Sequence, residues 1–382
     1  MLKSKIVFIL VLFCIFYPFA AIAGSMNVST KPVHSPSKSG KWNIGYVQGG
    51  EYGDYCDTLL ATLDGLIQLG WIGPLDTNQL RGLDAGAVWK ILTQKADSPF
   101  LHFVEDGFYS ADWKSENRKK ITDQLAQRIQ AGNSFDILIA MGTWAGQDLS
   151  QSDMDTPVIV MSTSNPVATG IIKSPNASGK KNIHAQLDPT FQERQIKYFS
   201  ETVSFKKLGI IFENTDVGKS YAGLRSVKKT AKEKGFDLVV CHAQSDIPDT
   251  SQCEKEYLAC VDNLSTKIDA LYVTAHGGVT DRTIPVIVEK TIRYSIPTFS
   301  QYGSKDVEKG LLVSLSRTSY KKVGMFEAAI IANVLNGANP GDLVQVFEEP
   351  LQISLNIDTA QHIGYLPTAG VIAAADKIFH SR

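Results

Sequence analysis

The chain carries almost no excess of charge of either sign. Its 382 residues include 38 Lys and Arg against 39 Asp and Glu, for a formal net charge of -1. A nucleic-acid-binding protein needs a basic stripe or patch, so we expect no nucleic acid among the partners. The composition, 43% hydrophobic and 20% charged, is typical of a globular protein. The length allows two compact domains.

Sequence motifs of catalytic and metal sites are also missing. The seven histidines are scattered, and neither a His-Glu-x-x-His pattern nor a Gly-x-Ser-x-Gly elbow occurs. The glycines at positions 45, 49, 50 and 53 do not form a dinucleotide fingerprint, and Ser178-Gly179-Lys180 lacks the spacing of a phosphate-binding loop. We therefore predict that the protein is not an enzyme and holds neither a metal nor a cofactor.

Cysteine is rare, with five in the chain. Cys253 and Cys260 lie on a predicted helix, about 10 Å apart along its axis, which is too far for a bond between them. Cys241 ends a predicted strand and could reach either of them in an oxidising compartment. Zinc binding is disfavoured because no cysteine pair has finger-like spacing and His242 alone is a poor partner.

A long apolar run occurs only at the N-terminus. Lys3 and Lys5 precede residues 6–20, which are apolar, and small residues then stand at the −3 and −1 positions of a cleavage site after Ala23. This is the layout of a secretory signal peptide, so we predict residues 1–23 to be removed and the protein to be periplasmic. An uncleaved anchor is the alternative, but the run is shorter than the ~20 residues of a spanning helix. Gly24, not a cysteine, follows the cleavage site, so no lipid anchor is expected.

Residues 24–41 are rich in Ser, Lys, Pro and Gly and predict a flexible leader.

From residue 42 onward, short apolar runs alternate with amphipathic stretches, which indicates parallel sheets covered by helices. One series of strands is predicted at 44–48, 100–105, 136–141 and 157–162, and a second at 207–212, 236–241, 269–273 and 296–300. Two such series predict an α/β protein with two doubly wound, Rossmann-like lobes. Residues 71–99 are long for a connection, and their apolar residues favour an extra helix packed on the first lobe.

Four segments resemble a known family. Asp136-Ile-Leu-Ile-Ala-Met-Gly-Thr-Trp-Ala-Gly-Gln and Pro157-Val-Ile-Val-Met-Ser-Thr-Ser-Asn-Pro-Val-Ala-Thr-Gly are similar to strand-turn motifs of ABC transporter substrate-binding proteins of the tryptophan/tyrosine-type receptor family. Leu208-Gly-Ile-Ile-Phe-Glu-Asn-Thr-Asp resembles the opening strand of that family's second lobe. The end, from Leu335-Asn-Gly-Ala-Asn-Pro to Leu351-Gln-Ile-Ser-Leu-Asn-Ile-Asp-Thr-Ala-Gln-His-Ile-Gly-Tyr-Leu-Pro, is the most specific match.

The resemblance implies a type I periplasmic binding protein whose lobes are joined by a three-segment hinge. It places residues 42–163 and about 312–338 in the N-terminal lobe, and residues 164–311 and about 339–382 in the C-terminal lobe. It also implies a small-molecule ligand such as an amino acid, an inner-membrane ABC permease as partner, and a monomer. Trp144 stands where the family has Pro, and Ala275-His276-Gly277 replaces a common polar loop, so the ligand remains open. Residues 71–115 exceed the family's usual length.

Ligands of parallel sheets bind beyond the carboxyl ends of the strands. The candidate ligand-binding residues are those that follow predicted strands: Gly50, Tyr52, Tyr55, Thr143, Trp144, Ser164 and Asn165 in the first lobe, and Asn214, Asp216, Ser220, His276, Gly277, Gln301 and Tyr302 in the second.

Each candidate also has a structural interpretation. Thr143 opens a helix whose free N–H groups suit a carboxylate, or it caps that helix. Trp144 could stack on a flat ligand or pack within its lobe. Asp216 is our choice to meet a ligand ammonium group, against an ordinary surface role. Ser164 and Asn165 are expected at the first crossover, and His276 could equally fill a polar loop.

These features predict a receptor that closes about its hinge around the ligand and delivers it to an importer. A receptor that reports its ligand to a membrane signalling protein would use the same lobes and stays an alternative. A secreted enzyme is the remaining alternative, and it would alter its ligand rather than only retain it.

Overall fold

The computed structural model describes residues 29–37, 39–132 and 135–380. The predicted signal peptide and residues 24–28 lie outside the described residues. Residues 29–37 of the leader are packed on the first lobe, because the indole N–H of Trp71 donates to the Thr30 carbonyl and that of Trp42 to the Val33 carbonyl, each at 3.0 Å.

The first lobe contains a five-stranded parallel sheet in the order β2-β1-β3-β4-β5. Its interior strands are buried on both faces, as expected when helices cover a parallel sheet. In chain order the elements are β1 (Trp42–Gln48), α1 (Gly53–Gln68), α2 (Ala85–Lys95), β2 (Leu101–Ser110), α3 (Ser115–Gln130), β3 (Ile137–Met141), α4 (Gly142–Gln151), β4 (Val158–Met161) and β5 (Ile183–Ala185).

The second lobe contains a seven-stranded sheet in the order β12-β11-β10-β9-β8-β6-β7, in which β10 and β11 run antiparallel. The remaining elements of the chain are α5 (Phe191–Thr202), β6 (Lys207–Phe212), α6 (Asp216–Tyr221), α7 (Leu224–Lys234), β7 (Asp237–His242), α8 (Thr250–Leu264), β8 (Ala270–Val273), α9 (Ile284–Arg293), β9 (Thr298–Ser300), α10 (Ser304–Glu308), β10 (Val313–Arg317), α11 (Tyr320–Leu335), β11 (Leu351–Asn356), α12 (Ile357–His362), α13 (Ala369–Ala374) and β12 (Lys377–Phe379). None of the helices in this described part of the chain is long and apolar enough to cross a membrane.

The chain passes between the lobes after β5, after β10 and after α11, which packs on α1. The family resemblance implied a first crossing at residue 164. Because β5 pairs with β4 of the first sheet, the crossing lies after Ala185 instead. The second crossing follows Arg317 and not residue 311, because β10 pairs with β9 and β11. A three-residue strand such as β5 is too short for its apolar pattern to identify it.

The segment after α1 contains the predicted extra helix. Val88, Trp89 and Leu92 of α2 are buried in the first-lobe core, and the Trp89 indole N–H donates to the Val104 carbonyl at 3.0 Å. The sequence pattern also predicts a helix at about 221–234. The structure has α7 there, but it begins only at Leu224, because Gly223 adopts a left-handed conformation between α6 and α7.

A disulfide joins Cys241 to Cys260. It fastens β7, the edge strand of the second sheet, to α8, and it decides between the two partners that the sequence left open for Cys241. Cys56 and Cys253 are free and buried.

Small residues bring α1 and α11 into close contact. A Cβ atom added at Gly324 would lie 2.3 Å from the carbonyl carbon and oxygen of Ala61, and one added at Gly65 would lie 2.6 Å from the Ala328 methyl group. At the N-terminal ends of the two helices, the Tyr320 hydroxyl donates to Asp54 at 2.6 Å. This contact holds α11, which follows the second crossing, on the first lobe.

We expect Gly324→Ala to lower the free energy of unfolding by about 1–3 kcal/mol, because its methyl group would collide with the backbone of α1. Alanine normally stabilises a helix relative to glycine by about 1 kcal/mol. The matched control is Gly53→Ala, whose added methyl group meets no atom within 4 Å. Urea unfolding of the two variants should give opposite signs, and equal stability would contradict the tight contact.

Candidate functional site

The two lobes meet at the carboxyl ends of their strands. On the first lobe, β3 leads directly into α4 through Gly142, whose φ is +84°. A Cβ atom there would lie 1.8 Å from the Tyr55 hydroxyl, so glycine lets that phenol reach the start of α4. Thr143 follows, and its buried hydroxyl has no hydrogen-bond partner among the described residues. Its neighbour across the cleft is the phenol of Tyr221.

Asp246 is the carboxylate at this junction. It lies beyond β7 in the second lobe and faces the Ser245 side chain, the Tyr221 phenol and the indole of Trp144 from the first lobe. The Glu213 carboxylate accepts hydrogen bonds from the backbone N–H groups of Ser245 and Asp246 at 3.3 and 3.1 Å. The junction therefore combines two acids with hydroxyl and indole donors.

Burial, and then the neighbouring Glu213 carboxylate, raise the pKa of Asp246 to about 7. The Ser245, Tyr221 and Trp144 side chains oppose this shift by favouring the ionised form. The Asp246 side chain is partly buried beside another acid, and among the described residues it forms no ion pair with a basic side chain that would compensate its charge. A positively charged group between the lobes would do so.

Trp144 is held rigidly from two sides. The Arg118 guanidinium lies 4.6 Å from the centre of its ring, and the Trp113 ring meets it edge-on at 5.3 Å. Arg118 is itself fixed by paired hydrogen bonds to Asp148 at 2.9 and 2.6 Å. Because Arg118 covers one face of the indole, Trp144 serves as a wall of the cleft, with its edge toward Asp246.

A second contact between the lobes involves tyrosines. The ring centres of Tyr52 and Tyr302 are 6.0 Å apart, and burial raises the pKa of both phenols, so both stay neutral. Beside them, Lys305 of the second lobe lies 3.8 Å from Asp57 of the first. A cavity of about 400 Å³ opens there, lined by Tyr52, Asp57 and Lys305 among others.

Gln301 is used within its own lobe. Its side-chain oxygen accepts from the Ala275 N–H at 2.8 Å, and its amide donates to the Tyr221 carbonyl at 2.7 Å. Gln301 thus positions Tyr221 and the loop after β8.

His276 is also a structural residue of that loop. Its Nε2 lies 3.1 Å from the Ala243 carbonyl, and its Nδ1 accepts from the Gly278 N–H at 2.9 Å. Burial lowers its pKa to about 4, so the ring is neutral with its proton on Nε2. The Gly277 N–H donates to the Ser245 hydroxyl at 2.9 Å. These contacts shape the loop that carries Asp246.

The structure does not bring Asp216 to the junction. Its side chain is 97% exposed and pairs with Lys219 on the surface at 3.5 Å, so it does not occupy the enclosed position that we expected for it. Asn214 is exposed as well. Ser220 is buried, and its hydroxyl has no hydrogen-bond partner among the described residues.

Three first-lobe candidates have local roles. Asn165 caps a turn by accepting from the Ala168 N–H at 2.9 Å, and Ser164 is exposed. Both follow β4 within the first lobe and do not lie at a crossing. Gly50 is covered by Trp113, whose indole carbon would be 2.5 Å from an added Cβ.

Sequence reasoning missed Asp246, Glu213, Tyr221 and Arg118. Asp246 follows β7 as the other candidates follow their strands, so the same rule applied to this strand would have found it. Tyr221 was predicted to begin a helix, whereas it ends α6, two residues before the left-handed Gly223. Within the described residues, no group of three or more His, Cys, Asp or Glu side chains is placed to hold a metal ion.

A sequence profile described as ABC transporter substrate binding protein matches residues 104–379. The chain belongs to this family. The substrate-binding protein is 24% identical to a tyrosine-binding protein of Clostridioides difficile (strain R20291) over 274 residues, which are 69% of this chain and 75% of that one.

Solved structures confirm the fold class. A conserved domain protein from Vibrio cholerae superposes with a TM-score of 0.64 at 19% identity, over 88% of this chain and 99% of that chain. An ABC domain from Streptococcus pneumoniae in complex with L-Trp gives 0.63 at 20% identity, over 88% and 100%. The substrate-binding protein thus has the predicted two-lobed type I periplasmic-binding fold.

We expect Gln301→Ala to destabilise the substrate-binding protein by about 2 kcal/mol, because it leaves two partly buried backbone groups without partners. Gln79→Ala is the control, since that side chain is exposed and bonds only to Asp76. Chemical denaturation measures both. A change below about 0.5 kcal/mol for Gln301→Ala would show that the loop does not depend on this side chain.

Proposed function

We propose that this protein captures a small amine-bearing molecule, such as an amino acid, between its lobes and delivers it to an inner-membrane ABC permease. The observation that carries the proposal is the Asp246 carboxylate, which is partly buried between the lobes beside Glu213 with hydroxyl and indole donors around it. A ligand ammonium group would neutralise this site. The protein acts by binding alone, without altering its ligand.

The first-lobe side of the junction, opposite Asp246, suits the carboxylate of such a ligand. The first turn of α4 presents N–H groups without intrahelical partners, and these favour a carboxylate. The buried Thr143 hydroxyl, which lacks a hydrogen bond among the described residues, adds a donor there. An amino acid would therefore bridge the first lobe through its carboxylate and the second through its ammonium group, which favours the closed arrangement of the lobes.

The relatives support the choice of ligand class. One is a tyrosine-binding protein, and one solved structure contains L-Trp. The tyrosines at the lobe contact offer aromatic surface to a side chain of this kind.

We further propose that the protein is secreted to the periplasm after cleavage behind Ala23 and acts as a monomer. Its disulfide fits an oxidising compartment.

Asp246→Asn should weaken amino-acid binding at least tenfold, because it removes the charge that pairs with the ammonium group. We would titrate L-tyrosine and L-tryptophan by calorimetry and compare each with its analogue that lacks the amino group. The matched control is Asp216→Asn, whose affinity should stay within twofold because Asp216 is exposed. Equal affinity of wild type and Asp246→Asn for the amino acid would exclude the proposed pairing.

Ligand affinity should fall as the pH is lowered through about 7. In the ligand-free protein Asp246 has a pKa of about 7, so it is mostly ionised at pH 8 and mostly protonated at pH 6. Because the ammonium group binds the ionised form, affinity at pH 6 should be roughly tenfold lower than at pH 8. Asp246→Asn should lose this dependence, whereas a wild-type profile that is flat over this interval would contradict the assignment.

A further inference from the structure

Asp246 lies in a segment that belongs to no helix or strand. Residues 243–249 connect β7 to α8, so Asp246 is beyond the hydrogen-bonded part of the sheet. Glu213 after β6 and His276 after β8 hold this segment through the contacts described above. A carboxylate that must first be ordered binds its partner more weakly, because the ordering costs entropy. The remaining supports of the segment therefore bear on binding.

One face of α8 also contacts this segment. Positions 253, 256 and 260 share that face because they are spaced by three and four residues, and we call them the inner face of α8. The disulfide joins Cys260 to Cys241, one residue before the end of β7. The Glu256 carboxylate accepts from the Gln244 N–H at 2.8 Å. The inner face thus follows the chain from β7 toward Asp246.

Cys253, the third member of the inner face, reaches the backbone on both sides of Asp246. Its thiol donates to the Ser245 carbonyl at 3.2 Å, and the Ile247 N–H interacts with the same sulfur. The side chain is 1% exposed and is not part of the disulfide. A thiol is a weak donor, but hydrogen bonds that are shielded from bulk water are strengthened. Cys253 therefore fixes the two residues that flank Asp246.

We propose that the inner face of α8 positions Asp246 for the ligand, with Cys253 as the positioning residue and the disulfide fastening the helix to β7. The inference rests on the proposed function, in which Asp246 pairs with the ligand ammonium group. It also gives the disulfide a role in binding. A dithiol that reduces Cys241–Cys260 to two thiols, and itself becomes a disulfide, releases one end of the inner face and weakens capture of the ligand.

Truncation of the Cys253 thiol should weaken ligand binding. Cys253→Ala removes both backbone contacts, so L-tyrosine and L-tryptophan should bind about threefold or more weakly in calorimetry. Cys253→Ser keeps a group that donates and accepts, and its affinity should stay within about twofold of wild type. The matched control is Cys56→Ala, which truncates the other free and buried cysteine, in the first-lobe core, and should leave the affinity unchanged.

The pH dependence of binding separates positioning from a loss of stability. The titratable groups that face Asp246 are the Glu213 carboxylate, the Tyr55 and Tyr221 phenols and the Cys253 thiol. A loosened segment admits water to Asp246, so its pKa should fall below the value of about 7. In Cys253→Ala the loss of affinity on acidification should therefore move to lower pH. A variant that is merely less stable would keep the wild-type midpoint.

Reduction of the disulfide tests the other end of the inner face without changing a residue. Dithiothreitol should lower the affinity of wild type for the two amino acids. It should not affect the double variant Cys241→Ser with Cys260→Ser, which should already bind as weakly as the reduced protein. Should Cys253→Ala not fold, Glu256→Ala replaces it, and Glu256→Gln, which keeps an acceptor for the Gln244 N–H, is then the conservative control.

Amide hydrogen exchange of the ligand-free protein gives a result whether or not a probe binds. Exchange at residues 244–247 should be faster in Cys253→Ala than in wild type and in Cys253→Ser. Unchanged exchange there, or faster exchange with wild-type affinity and pH midpoint, would overturn the inference while the proposed function stands. If neither amino acid binds to wild type, the proposed function fails instead, and the exchange rates still decide whether α8 holds the segment.

Discussion

The enclosed carboxylate of Asp246 imposes the main constraint on this protein. It lies where the two lobes meet, beside the acid Glu213 and the neutral donors Ser245, Tyr221 and Trp144. Taking a charge out of water without a counter-ion is unfavourable. In the function proposed above, the ligand ammonium group supplies that counter-ion, and contact between the lobes and binding of the amine favour each other.

The surroundings of that carboxylate are stiff on both sides. On the first lobe, Arg118 and Trp113 fix the indole of Trp144. On the second, Gln301 fastens Tyr221, and His276 fastens the loop that leads to Asp246. Each side of the junction is therefore fixed by contacts within its own lobe.

The strands that consist of a continuous apolar run were predictable, because burial on both faces of a parallel sheet demands apolar residues throughout the strand. The two lobes could be predicted from the two series of such strands. The short strand β5 and the end of β10 were not, and both crossings were placed too early as a result. Of the predicted ligand-binding residues, Thr143, Trp144, Tyr52 and Tyr302 lie at the lobe contact, and their part in binding stays a prediction. Their positions follow from a single rule about the carboxyl ends of strands.

The sequence by itself determined the class of fold, the family and the edge of each sheet that faces the cleft, because these depend on periodic burial and local turns. Only the tertiary structure decided which acid lies where the two lobes meet. Asp216 and Asp246 both follow a strand of the second lobe, yet one is 97% exposed and the other lies against Trp144. Which acid lies between the lobes depends on how one lobe is oriented against the other. The contact between Asp246 and Trp144 joins residues about a hundred positions apart, so no local sequence pattern predicts it.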